Sequence, residues 1–146
     1  MTKSTQDEIV EFMAKDPFAK FLGATMEIVA PGHSRVSLTV TKDMVNFHGM
    51  THGGLVFSLG DMAFAAASNS RGQMAVALNV DIVFLKATKP GDQLVAEAIE
   101  QHQSGRTALY DIIVRDQTGE MVAKSQNLVY RKKEWFMGGP EMEDKR

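Results

Sequence analysis

The run GLVFSLGDMAFAAASN at residues 54–69 constrains the fold more than any other stretch of this chain. Its apolar side chains surround nearly the whole circumference of a helix, and a helix of that kind must be buried on almost every side. The segments after it, between residues 74 and 132, are β-branched or alternate between apolar and polar residues, as strands do. The pattern therefore predicts one long central helix wrapped by a β-sheet, an α+β fold.

Turn signals divide the rest of the chain. They fall at Pro31-Gly32, Pro90-Gly91, Ser104-Gly105 and Thr118-Gly119. Residues 33–40 alternate like a half-buried strand, and the last three strand segments are joined by connections too short for helical crossovers. We therefore expect an antiparallel meander there. Two short helices are expected before the first strand, at residues 5–16 and 16–23, the second capped by Asp16 and ended by Gly23.

Bulk composition narrows the class of protein. A chain of 146 residues with 44% hydrophobic and 23% charged residues is typical of one globular domain. A formal net charge of −2 gives no general attraction to nucleic acid or to an anionic membrane, and the lack of cysteine excludes disulfides and thiolate nucleophiles. No apolar run resembles a signal peptide or a membrane span, so the cytoplasm is the expected location.

The chain is expected to divide into three parts. Residues 1–15 form an N-terminal helical segment, residues 16–133 form the main domain, and residues 134–146 form a polar, flexible C-terminal tail.

A motif of four residues spans the start of the central helix: Asn46 before it, Gly53 and Gly54 where it begins, and Asp61 within it. The first N–H groups of a helix lack intrahelical partners and lie at the positive end of its dipole. Two glycines leave that end without side chains, so a carbonyl group can approach the backbone. A carboxylate in a buried helix is partly desolvated, which raises its pKa and strengthens it as a base. These features suit the polarisation of a carbonyl group and attack on it.

With these residues the chain resembles the PaaI-type hotdog thioesterases, a family that hydrolyses acyl-coenzyme A thioesters, from about residue 16 to residue 131. The resemblance rests on the motif above, on the segments FLKATKPGD and GRTALYDIIVRDQTGEMVAKS, and on His52, Phe64, Ala67 and Ser70. It implies the hotdog fold, with an antiparallel sheet around one helix. It also implies that Asp61 is a general base or nucleophile and that the Gly53 N–H polarises the thioester carbonyl, assisted by Asn46. The expected substrate is acyl-CoA, with no metal or organic cofactor.

Further substrate-binding residues are expected around this motif. His52 and Gly54 lie beside the expected oxyanion site. Coenzyme A carries phosphates, and Lys86 and Arg106 are candidates to contact them, Arg106 because of the resemblance.

The strand after the helix departs from the family pattern, because many relatives carry a Ser or Thr there. Here Ala77, Asn79 and Asp81 are expected to share one face, so Asn79 is the candidate to hold the attacking water or the acyl carbonyl instead.

The spacing of the motif also predicts an oligomer. Gly53 and Asp61 are eight residues apart, so their backbones would lie roughly 12 Å apart along a helix. Reacting atoms must come within about 3.5 Å, so Asp61 is expected to serve the Gly53 of a second chain. A dimer is then the minimal active unit, and we expect a homotetramer built as a dimer of dimers.

Plainer interpretations stay open at this stage. The two glycines can form a simple turn, Asn46 can close a turn through its side chain, and Asp61 can be structural, hydrogen-bonded to Ser58 or to a strand. A hotdog hydratase or dehydratase, in which His52 would act on the acyl chain, and a non-catalytic acyl-CoA-binding protein are alternative functions. The ten methionines favour core packing over an acyl-pocket lining. The sequence does not specify the acyl group.

Overall fold

The structure of the chain is a computed structural model that describes residues 4–140. Within these residues no helix has the length and apolarity needed to cross a membrane. The elements in chain order are α1 Thr5–Met13, α2 Pro17–Phe21, β1 Thr25–Ala30, β2 His33–Thr39, a 3-10 turn Lys42–Met44, α3 Gly53–Ser68, β3 Gln73–Phe84, β4 Gln93–Ser104, β5 Thr107–Arg115 and β6 Met121–Trp135.

The six strands form one antiparallel sheet in the order β1-β2-β4-β5-β6-β3. The expected meander is β4-β5-β6, and the long excursion through α3 places β3 beyond it at the edge of the sheet. The helix α3 packs across β2, β4 and β5. The predicted arrangement of one helix against a wrapping antiparallel sheet, the hotdog fold, is confirmed.

The core lies between α3 and the sheet. Phe64 of α3 packs edge-on against Tyr110 of β5, with ring centroids 5.6 Å apart. The hydroxyl of Ser34 on β2 donates to the Ala63 carbonyl at 2.6 Å, so a buried polar group also joins sheet and helix. Burial of these side chains stabilises the fold, because each large apolar side chain contributes about 1.5–3 kcal/mol.

The helix α3 is not buried on every side, as its sequence suggested. Phe57 is 39% exposed, and Asp61 and Ala65 are also exposed, on one stripe of the helix. One sheet covers one side of a helix, so the opposite stripe stays open unless another layer packs there. The helix begins at Gly53, one residue before the predicted start.

The N-terminal helices follow their sequence signals. The Asp16 carboxylate caps α2 by accepting from Phe18 N at 3.2 Å, and Gly23 ends this turn with a φ of +70°. The helix α1 packs onto the domain through Ile9, which is fully buried, and through Phe12, whose ring stacks on Phe136 at 5.3 Å.

The end of β6 extends past the predicted domain boundary at residue 133. The strand continues to Trp135, and Phe136 N donates to the Gly72 carbonyl at 2.9 Å. Residues 141–146 of the predicted tail lie outside the described residues.

Candidate active site at the start of the central helix

His52 organises the N-terminus of α3. Its Nδ1 accepts a hydrogen bond from Gly54 N at 2.9 Å, and its carbonyl accepts one from Leu55 N at 2.9 Å. Because Nδ1 is an acceptor, the neutral ring carries its proton on Nε2. Among residues 4–140 the N–H of Gly53 has no hydrogen-bond partner. His52 therefore satisfies the neighbouring amides and leaves one N–H at the positive end of the helix for another acceptor.

The two glycines have different structural roles. A Cβ on Gly54 would lie 3.0 Å from His52 Nδ1, so a side chain there would disturb the cap. A Cβ on Gly53 would meet only the Phe84 ring, at an ordinary 3.7 Å. Gly54 makes room for the cap, whereas Gly53 keeps the approach to its own N–H open.

Asn46 closes a turn, one of the plainer roles considered above. Its Oδ1 accepts from His48 N at 2.9 Å and from Met50 N at 3.2 Å. This pins the side chain, and its Nδ2 donates no hydrogen bond within the described part of the chain. Asn46 and Gly53 line the same pocket of about 330 Å³. The turn role therefore leaves an oriented amide donor in the pocket that Gly53 also lines.

Two threonines fix the chain just before α3, and the sequence did not reveal them. Thr51 N donates to the Thr88 carbonyl at 2.9 Å, and the Thr88 hydroxyl donates to the Thr51 hydroxyl at 2.6 Å. Both residues are buried. They are 37 residues apart, so no local pattern reports the pairing.

Asp61 is exposed rather than buried, contrary to the expectation from its apolar helix. Surrounding atoms still desolvate the carboxylate in part, which raises the pKa of Asp61, and the negative charge of Asp16 raises it further. No hydrogen bond or ion pair to Asp61 occurs within residues 4–140. The Ser58 hydroxyl donates to the Gly54 carbonyl at 2.7 Å instead, so Asp61 is not tied to Ser58.

Asp61 does not reach the pocket that contains Asn46 and Gly53. It follows Gly53 by eight residues in one helix, which places the two backbones ~12 Å apart along the axis. One chain therefore carries the two donors and the carboxylate as separate groups.

Lys86 lines the pocket beside Gly53, but carboxylates surround its charge. Its ammonium lies 2.5 Å from Asp116 and also contacts Glu120, and these hydrogen bonds raise the pKa of Lys86. Such a cation is largely neutralised, which weakens its case as a phosphate ligand.

Arg106 lies far from Gly53 within the chain. With Arg131 and Lys133 it lines a pocket of about 450 Å³ that includes Gln73, the first residue of β3. The pocket containing Gly53 adjoins Phe84, the last of the 12 residues of β3. At about 3.3 Å per residue, the two ends of the strand are roughly 35–40 Å apart. Arg106 and the motif therefore belong to opposite ends of one subunit.

Asn79 does not share a face with Ala77, which corrects the expectation from the sequence. The register of β3 shifts at this point, so Ala77 pairs with Val129 but Asn79 pairs with Leu128. Consecutive residues of β6 face opposite sides of the sheet, and the buried Val129 marks the side facing α3. Asn79 therefore faces away from α3. A bulge adds one residue to the strand, so every later side chain faces the opposite side of the sheet from the one that simple alternation predicts. The sequence alone does not show where the bulge occurs.

Comparisons with known proteins bear on this site. Residues 48–123 match the family model of the thioesterase superfamily. The acyl-coenzyme A thioesterase PaaI of Escherichia coli K12 is 41% identical over 124 residues, which cover 85% of each chain. The structure of the E. coli PaaI protein superposes with a TM-score of 0.84 and 38% identity, covering 92% of this chain and 95% of that one. A Streptococcus mutans protein solved with bound acetyl-CoA gives a TM-score of 0.71 at 31% identity, over 75% and 88% of the two chains.

Proposed function

This chain belongs to the thioesterase superfamily, and we propose that it hydrolyses acyl-CoA thioesters to a free acid and coenzyme A at the α3 N-terminus. One observation carries the proposal: the free N–H of Gly53 and the pinned amide of Asn46 line a common pocket. Relatives named acyl-coenzyme A thioesterases, and one solved with acetyl-CoA, support coenzyme A as the carrier.

The two donors act on the thioester carbonyl. Attack at the carbonyl carbon pushes an electron pair onto its oxygen, and preorganised donors stabilise that charge more in the transition state than in the ground state. The Gly53 N–H points from the positive end of α3, and Asn46 Nδ2 supplies the second hydrogen bond. One such donor typically contributes a factor of about 10²–10³ in kcat.

The carboxylate of Asp61 activates the attacking oxygen. As a general base it removes a proton from a water molecule, whose oxygen then bonds to the carbonyl carbon. Collapse of the tetrahedral intermediate breaks the C–S bond and releases coenzyme A as the thiolate, which takes up a proton. As a nucleophile, Asp61 would bond to the carbonyl carbon itself and form an anhydride that water then hydrolyses. Its lack of a partner among residues 4–140 and its raised pKa suit either role.

The ~12 Å between Gly53 and Asp61 supports a site shared between two chains. The strand β3 has 12 residues and a free edge, and it exposes Leu78 by 55% and Val83 by 54%. A free apolar edge favours pairing with a second copy. A two-fold axis would then give two equivalent sites, each with Gly53 and Asn46 from one chain and Asp61 from the other.

Apolar side chains outside β3 support further association of two dimers into a tetramer. Phe47 is 92% exposed and Phe21 is 82% exposed, and neither lies on β3. The mass of the particle in solution, measured by light scattering, tests this arrangement against the dimer.

Pairing of antiparallel β3 strands also accounts for Arg106. The end of β3 near Gln73 in one chain would lie beside the end near Phe84 in the other. The cluster of Arg106, Arg131 and Lys133 in one chain would then approach the other chain's motif and attract coenzyme A phosphates.

The test of the proposed function is substitution of Asp61 in a thiol-release assay with a panel of acyl-CoAs. Asp61→Ala and Asp61→Asn should both lower kcat by about 10²–10⁴, because neither side chain can accept the proton. Both variants should remain folded, and their acyl-CoA affinity, measured in parallel, should remain near the wild-type value. Near-native turnover in either variant would refute the mechanism.

A single turnover in ¹⁸O-water separates the two roles of Asp61. A general base puts ¹⁸O from water into the first acid released. A nucleophile gives ¹⁶O from its own carboxylate when water opens the anhydride at the Asp61 carbonyl, so ¹⁶O in that acid identifies the nucleophilic role.

A further inference from the structure

A third cavity, of about 520 Å³, lies between α1 and the C-terminal half of α3. We refer to it as the α1–α3 groove. Its apolar walls include Phe12, Met13, Met62, Ala65, Met74 and Phe136. A mostly apolar cavity of several hundred Å³ is of the size that encloses a small-molecule group.

The lining of the groove on α3 starts at Met62, the residue after Asp61. Ala65 is one helical turn after Asp61, so the two side chains are neighbours on α3. Asp16 lies at the edge of the groove, and its negative charge acts on the Asp61 carboxylate. A substrate whose carbonyl carbon meets Asp61 therefore has an apolar path open beside that carbon.

The apolar part of the lining suits a flexible hydrocarbon group. Methionines contribute from α1, α3 and the strands, and their unbranched side chains adapt to the shape of what they contact. Two charged residues, Lys15 and Asp16, also line the groove. The polar residue that α3 contributes is Asn69, and its amide is already engaged. Its Nδ2 donates to the Ala65 carbonyl at 2.9 Å, and its Oδ1 accepts from Ala75 N at 3.0 Å. A hydroxyl on the acyl group would lose hydrogen bonds to water there without replacing them.

We propose that the α1–α3 groove holds the acyl group and that the substrates are thioesters of unbranched, medium-length fatty acids. The proposal rests on the proposed function and adds its substrate class. The groove follows α3 from Met62 to Asn69, which is seven residues, or ~10 Å, enough for an acyl chain of about eight carbons. The ring of Phe12, stacked on Phe136, forms the outer side and is itself 55% exposed.

The first experiment measures kcat/KM for acetyl-, hexanoyl-, octanoyl-, decanoyl- and phenylacetyl-CoA. The wild type should prefer octanoyl- over acetyl-CoA by at least 100-fold, because each buried methylene favours binding by about fourfold. It should also prefer octanoyl- over phenylacetyl-CoA. Ala65→Leu fills the groove from an exposed helical position and should lower the octanoyl-to-acetyl ratio at least tenfold. Phe12→Ala should lower the same ratio by removing the outer wall.

Phe21→Ala is the matched control, because Phe21 is 82% exposed and does not line the groove. It should leave the ratio within twofold of the wild type. Equal losses for all acyl lengths in Ala65→Leu, or a wild-type preference for acetyl- or phenylacetyl-CoA, would overturn the proposal. A change in particle mass for Ala65→Leu without a change in the ratio would identify the groove as a subunit contact and overturn it too.

A binding experiment separates this proposal from the proposed function. Octanoyl-CoA should bind Asp61→Asn at least tenfold more tightly than acetyl-CoA by calorimetry, and the additional change Ala65→Leu should remove that difference. If the wild type hydrolyses no thioester but this difference is found, the groove assignment holds and the hydrolase assignment fails. Equal affinities for the two ligands overturn the groove assignment whatever the activity.

Discussion

Subunit exchange between two inactive variants tests the shared site directly. One variant is Asp61→Ala, which keeps the Gly53 N–H and Asn46, and the other is Asn46→Ala, which keeps Asp61. Within one chain the helix separates Gly53 and Asp61 by ~12 Å, whereas reaction requires about 3–3.5 Å. An aspartate side chain leans towards the helix N-terminus, but it recovers only a small part of that distance. Neither variant can therefore restore a site by itself.

The size of the recovery follows from the two-fold symmetry. Random exchange of equal amounts makes about half of the dimers mixed. Each mixed dimer has one site with Gly53 and Asn46 from the first variant and Asp61 from the second, and one doubly defective site. One intact site in half of the dimers corresponds to roughly a quarter of wild-type activity. The assay is thiol release before and after exchange, with exchange verified by native mass spectrometry on chains that carry different tags.

The control places both substitutions in one chain and mixes it with the wild type. With shared sites, every mixed dimer is inactive, so activity falls from about half to about a quarter of that of an all-wild-type sample. If each site is confined to a single chain, activity stays at about half of that of an all-wild-type sample after exchange. Verified exchange with no recovery in the first mixture and no fall in the second would refute the shared site.

Three other predictions concern stability, the helix cap and the coenzyme. Asp61→Asn should raise the melting temperature at pH 7, because the folded-state pKa of Asp61 is raised and its ionisation therefore costs stability as pH rises through that pKa. The gain in melting temperature should shrink as pH is lowered towards the unfolded-state pKa, and a gain independent of pH would contradict the assignment. His52→Ala should lower the free energy of unfolding, measured by urea titration, by about 1 kcal/mol because Gly54 N loses its hydrogen-bond acceptor. His52→Ser should restore the wild-type free energy of unfolding, and equal stability of the Ala and Ser variants would count against the cap. Arg106→Ala should raise KM several-fold for an acyl-CoA but not for the matching acyl-pantetheine, because the acyl-pantetheine lacks the nucleotide phosphates. Lys124→Ala, at an exposed position, is the control, and equal effects of Arg106→Ala on both substrates would exclude a phosphate contact.

The sequence alone was sufficient for features that depend on contiguous residues. The apolar run at residues 54–69 gave α3, the glycine turns gave the strand boundaries, and Asp16 with Pro17 gave the start of α2. These succeed because helix periodicity, strand alternation and capping are properties of neighbouring residues. The spacing of the motif and the resemblance it carries gave the family, which the comparisons confirm.

The tertiary structure decided which groups face each other. The stripe of α3 that carries Asp61 is exposed, because one sheet covers only one side of a helix. A bulge in β3 turned Asn79 away from α3, and the pairing of Thr51 with Thr88 joined segments distant in sequence. The tertiary structure also enclosed Lys86 between two carboxylates and assembled the α1–α3 groove from both ends of the domain. Local sequence specifies each element, but the exposure, pairing and facing of a side chain depend on long-range packing between elements.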